Sequence, residues 1–118
     1  MSYPPEHEFI NVNSTSGTFV TVLNITGSGI LYWGMARCET DTGEIRITID
    51  GYIQTFILTG NTTYVICFDP DSTINQIFYL GSASSVKGMP IWFQDNFLWE
   101  HRKVLGTLVQ SKLHYGAL

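Results

Sequence analysis

The sequence predicts an all-β domain, an antiparallel β-sandwich of jelly-roll type with about eight or nine strands, on three observations. Short runs of β-branched and aromatic residues alternate with polar ones at period two. Gly, Asn, Asp and Thr break these runs roughly every 8 to 12 residues, the rhythm of turns between short strands. The chain is 118 residues long, the size of one domain, with no internal repeat, linker or low-complexity stretch. Residues 1–8 read as an extended arm and residues 9–118 as a single sandwich.

Thr18 to Ile25 is the first clear run, with Phe19, Leu23 and Ile25 expected on one face, and Gly27-Ser28-Gly29 ends it. Ile30 to Cys38 is almost continuously apolar and so is expected to be buried on both faces. Between Glu44 and Asp50, Ile45, Ile47 and Ile49 alternate with polar residues, which predicts one dry face and one wet. Asp50-Gly51 then predicts a two-residue hairpin turn, because a type I′ turn needs positive φ at both central positions. Tyr52 to Leu58 is the return strand, and Thr63 to Phe68 follows the turn at Thr59-Gly60-Asn61-Thr62. Asp69-Pro70-Asp71 stops that strand, since proline cannot donate to a ladder. Ile74 to Leu80, Ile91 to Phe93 and Phe97 to His101 are further strands. Val104, Leu105, Leu108 and Val109 fit helical spacing, but the surroundings and Gly106 favour a strand from Thr107 to Tyr115.

Composition narrows function mainly by exclusion. Charged residues make up 14%, against a typical share of roughly 25%. A small domain with so few charges is expected to hide some surface against a partner or another copy. Six Lys and Arg scattered through a chain of net charge -4 give no basic stripe for phosphates, so no nucleic acid is expected. No apolar run reaches the roughly 18 to 20 residues of a membrane span, and the start of the chain has no signal-peptide pattern. Cys38 and Cys67 read as reduced, buried small hydrophobes, with a disulfide as the alternative.

Catalytic and metal motifs are not visible. His7, His101 and His114 are far apart, and no Gly-x-Ser-x-Gly elbow or phosphate-cradling loop occurs. Gly81-Ser82-Ala83-Ser84-Ser85 reads as a loop. Glu39, Asp41 and Glu44 in one expected turn, and Asp69 with Asp71 in another, read as solvated acids, because neither has calcium-loop spacing. Asn13, Asn24 and Asn61 fit the glycosylation pattern without a secretion signal to give it meaning. The expectation is therefore a non-enzymatic protein without a cofactor or metal. Its aromatics carry the functional signal, because Trp and Tyr are enriched at interfaces and can stack on sugar rings. The candidate interface residues are Trp33, Trp92 and Trp99, with Tyr3, Pro4 and Pro5 of the stiff amino-terminal arm.

Four segments read together resemble a known group. They are Gly27-Ser28-Gly29-Ile30-Leu31, Ile45-Arg46-Ile47-Thr48-Ile49-Asp50-Gly51, the stretch from Pro90-Ile91-Trp92-Phe93 to Trp99-Glu100, and the last strand ending near Tyr115. Over about residues 27 to 115 the chain resembles the small jelly-roll structural domains of tailed-bacteriophage virions, where an Ile-x-Ile-Asp-Gly strand is a common landmark. The resemblance implies a virion structural component without catalytic residues, usually a trimer. It points first to a capsid decoration (cement) protein bound to the major capsid protein. The alternative is a tail-associated, receptor-binding domain that contacts tail proteins and a host glycan. An unrelated carbohydrate-binding or structural β-module also remains open.

Overall fold

A computed structural model describes residues 8–67, 79–82 and 90–117 of the chain. The described residues form one antiparallel sheet of eight strands: β1 (Glu8–Ser14), β2 (Val20–Thr26), β3 (Gly29–Ile49), β4 (Tyr52–Thr59), β5 (Thr63–Cys67), β6 (Tyr79–Ser82), β7 (Ile91–Phe93) and β8 (Asn96–Ala117). The all-β, antiparallel class is as the sequence predicts.

Two long strands organise it. β3 and β8 pair antiparallel from Gly29 opposite Ala117 to Ile49 opposite Phe97. In the first half, β1 flanks β8 while β5 and β7 flank β3, with β6 outside β5. In the second half, β2 flanks β8 and β4 flanks β3. The sheet then folds across the middle of β3 and β8. Gly34 and Trp99 belong to opposite halves, yet a Cβ on Gly34 would lie 2.7 Å from the Trp99 ring. One core closes between the halves, with Leu31, Cys38, Val109 and Leu113 from the first and Ile45, Ile47, Phe97 and Trp99 from the second. This is a sandwich made by folding one sheet. Its strand order along the main path is β1-β8-β3-β5-β6.

The fold line is an irregularity in both long strands. Thr40 has φ 74° and Gly106 φ 103°, and the β3–β8 register shifts on each side of Thr40. Such bulges bend a strand and raise its twist. Glycine is required at 106: a Cβ there would stand 2.5 Å from Thr40 Oγ1 and 2.6 Å from the Glu39 carbonyl. From the other side, Asn61 donates its N–H to the Cys38 carbonyl at 3.0 Å and accepts the Thr40 N–H on Oδ1 at 3.3 Å.

The observed strands correct four expectations. Glu39, Asp41 and Glu44 lie inside β3 rather than in a turn, because the bulge absorbs the polar interruption without ending the strand. Ile30–Cys38 and Glu44–Ile49 are consequently one strand, as are Phe97–His101 and Thr107–Tyr115. β1 was not anticipated, although Ile10 and Val12 alternate inward there and Glu8 of the expected arm already belongs to it. Phe19 does not share a face with Leu23, because a bulge between Thr21 and Leu23 buries both Val22 and Leu23.

The hairpin follows its sequence signal. Asp50 and Gly51 have φ 50° and 85°, and Ile49 pairs with Tyr52. Ile45, Ile47 and Ile49 are buried, while Arg46 and Thr48 look outward. The turn at Asp69-Pro70-Asp71, most of the expected strand at Ile74–Leu80, and residues 83–85 of the serine-rich stretch lie outside the described residues. Gly81 and Ser82 belong to β6.

Candidate functional site

Register places a set of aromatic residues on one face of the first half-sheet. Phe9 of β1 and Trp33 of β3 both pair with His114 of β8, so the three side chains stand in one row. Trp92 of β7 pairs with Ile30, which pairs with Gly116. Gly116 is two residues beyond His114 and therefore on the same face. The Phe9 ring stacks on His114 at 3.9 Å between centroids, and Tyr32 meets the same imidazole edge-on at 5.8 Å. Phe9 is 77% exposed, Trp92 55% and Trp33 41%, high values for the residue types that usually close a core.

A polar lattice adjoins this row on the same face. Gln110 donates to Asn11 Oδ1 at 3.1 Å and accepts the Arg37 Nε–H at 2.9 Å, while Arg37 also pairs with Glu39 at 3.2 Å. These groups hold one another in fixed orientations, and Lys112 beside them is exposed. The face can therefore offer flat apolar surfaces next to oriented hydrogen-bonding groups.

The outer face of the second half differs. Arg46 grips Glu100 with two bonds of 2.9 and 3.0 Å, and Arg102 pairs with Glu44 at 2.6 Å. Phe19 lies beneath both guanidinium groups, 4.1 and 4.8 Å from its ring centre. All four charges are paired there, so the lattice is a neutral lid on the sheet.

Two further clusters hold the fold together. The Asp50 carboxylate accepts the backbone N–H groups of Asp95 at 2.7 Å, Gln94 at 3.0 Å and Asn96 at 3.1 Å. Those bonds, Asp95 first, hold its carboxyl below the ordinary value of 3.8. In the core, Ser111 Oγ accepts the Trp99 indole N–H at 3.0 Å and lies 2.7 Å from His101 Nδ1. A serine and a histidine at that distance could act as nucleophile and base. Both are wholly buried, however, and Trp99 occupies the same oxygen, so the trio is a core hydrogen-bond network. Burial pushes the His101 imidazole down to about 4.

The structure separates the candidate residues. Trp33 and Trp92 share the exposed aromatic face, whereas Trp99 is 0% exposed and is the largest side chain of the core. Tyr3, Pro4, Pro5 and His7 lie outside the described residues, as do Asp69, Asp71 and the Cys67 side chain. Cys38 is a free, buried thiol, raised in pKa by burial. Among the described residues, no three His, Cys, Asp or Glu side chains converge to hold a metal ion. No helix among them is long and apolar enough to cross a membrane. Phe9 and His114 were missed as site residues, Phe9 because its strand was missed. Only pairing to β8 reveals that they share a row with Trp33.

No protein-family profile matches the chain, and no curated protein matches it. Among solved structures, that of infectious bursal disease virus, Gt strain, overlays with a TM-score of 0.27 at 15% identity. The overlay takes in 99% of this chain and 39% of that one. So slight a likeness establishes no shared fold.

Proposed function

We propose that this chain is a non-catalytic assembly module of a virus particle that docks on its partner through the aromatic face of Phe9, Trp33 and Trp92. The carrying observation is that three large, exposed aromatic side chains share one sheet face in a domain with 14% charged residues. Burying such anchors in a partner is the usual source of interface energy. In its finer form, taken from the resemblance to phage virion domains, the chain is a trimeric decoration protein, with the major capsid protein beneath that face. A tail-associated, glycan-binding role is the second reading. It is favoured by the flat Phe9–His114 stack beside Asn11 and Gln110, since aromatic planes take the C–H face of a sugar and amides its hydroxyls.

Gold-labelled antibody on intact particles, viewed by electron microscopy, tests both readings. Label over the shell is expected, and it should be absent from particles assembled with Trp33→Ala/Trp92→Ala protein. Label confined to the tail would select the glycan-binding reading. Particles without label, in lysates that contain the folded protein, would refute both.

A further inference from the structure

We propose that the free edge of β4 is the seam of a homodimer, in which Tyr52–Thr59 of two copies pair antiparallel about a twofold axis at Thr55. The inference is independent of the aromatic face, which lies on the other half of the sheet. Among the described residues β4 pairs only with β3, so its second edge is open. The alternation of the ladder says which backbone groups face that edge. A two-residue type I′ turn is closed by a hydrogen-bonded pair, here Ile49 with Tyr52. Pairs then alternate without a register break, so Ile53, Thr55 and Ile57 direct their N–H and C=O groups away from β3.

The same three residues have exposed side chains, with Ile53 61% and Ile57 63% exposed. Edge strands are normally guarded by charge, proline, a bulge or a cover. β4 contains no charged residue and no proline, and its register is unbroken. The opposite edge of this half-sheet, β2, is bulged and turns Thr21, Asn24 and Thr26 to solvent. Among the described residues, only β4 is left unguarded on this half.

A second copy fits this edge because the strand is complementary to itself. With Thr55 on the axis, Ile53 of each copy lies across from Ile57 of the other. All three pairs fall where N–H and C=O groups are free, giving about six new backbone hydrogen bonds. Charge is compatible as well. The β3 residues behind the seam, Glu44 and Arg46, are neutralised by Arg102 and Glu100, so the twofold brings no unpaired like charges together. A one-strand seam falls short of the roughly 800 Å² per partner of a standard interface, which sets the expected dissociation constant in the micromolar range.

Sedimentation velocity on the full chain, from about 1 to 200 μM, tests the proposal against that range. Reversible twofold association through this seam is expected, over and above any trimer contact made elsewhere on the chain. Ile53→Lys and Ile57→Glu, each alone, should weaken it at least about tenfold while leaving the melting temperature unchanged, since both side chains are exposed. An equimolar mixture of the two single variants should dimerise again, because this register sets the introduced lysine of one copy against the introduced glutamate of the other. Trp33→Ala and Trp92→Ala should leave the dimer intact, which separates this seam from the aromatic face. A monomer throughout the range, a dimer that neither substitution weakens, or loss in both variants without rescue on mixing would each overturn it.

Discussion

His101 is fully buried, and its Nε2 has no hydrogen-bond partner among the described residues, so a proton on the ring would be a buried, uncompensated charge. Its folded value of about 4 lies below the ordinary 6.5, so the unfolded chain takes up a proton that the folded chain refuses. Stability is therefore complete above about 6.5 and is lost as pH falls toward 4, by on the order of 3 kcal/mol. Urea unfolding from pH 7 to pH 4 should show that slope, and His101→Gln should flatten it; equal slopes in both proteins would reject the assignment. Asp50 acts in a lower window. Its folded pKa is depressed, so its contribution is present above the ordinary value of 3.8 and disappears as pH falls through the folded value. Asp50→Ala should lower the melting temperature at pH 7 and uncouple the hairpin tip from residues 94–96. Asp50→Asn should cost less, because an amide oxygen still accepts a hydrogen bond and asparagine tolerates positive φ. If neither substitution lowers stability at pH 7, the carboxylate nest adds nothing to the hairpin.

The two long strands carry the architecture, and their cost is concentrated at the corner. Gly106→Ala should destabilise by about 2 kcal/mol or more, because it adds a positive-φ penalty to an overlap with Thr40 and Glu39. Gly51→Ala should cost only about 1 kcal/mol, since its φ is also positive but its Cβ would meet open space. Reversal of that order in chemical denaturation would mean that the corner is not where strain concentrates. Ile47→Ala removes a wholly buried side chain midway along the second half of β3 and should cost about 2 to 5 kcal/mol. A loss below about half a kilocalorie per mole would place Ile47 outside the core. The alternation of Ile45, Ile47 and Ile49 and the Asp50-Gly51 turn were legible because each is set by neighbouring residues. The continuity of β3 and β8 was not. Thr40 shows no strand-internal signal, and its left-handed backbone is stabilised by Asn61 and by the space at Gly106, distant in sequence. A bulge held by tertiary contacts therefore reads in sequence as a turn.

At the scale of the molecule, aromatic content was legible but its division between core and surface was not. Trp99 and Trp92 both stand at alternating positions in apolar stretches near the end of the chain, yet one is 0% and the other 55% exposed. The difference comes from the fold line, which turns Trp99 inward over Gly34, and from β7 lying along β3 with Trp92 on its outer side. Indole fluorescence can read this division directly. At low concentration, acrylamide should quench Trp33 and Trp92 and spare Trp99, so the Stern–Volmer plot should curve into an accessible and a protected fraction. Trp33→Phe and Trp92→Phe should each remove part of the accessible fraction alone, while Trp99→Phe should remove the protected one and cost stability through the lost Ser111 bond. Adding the docking partner should convert the accessible fraction to protected if the aromatic face is the contact surface. Dimerisation through β4 should leave quenching unchanged, because none of the three tryptophans lies on that edge. Quenching that stays the same when the partner binds would move the docking site away from Phe9, Trp33 and Trp92.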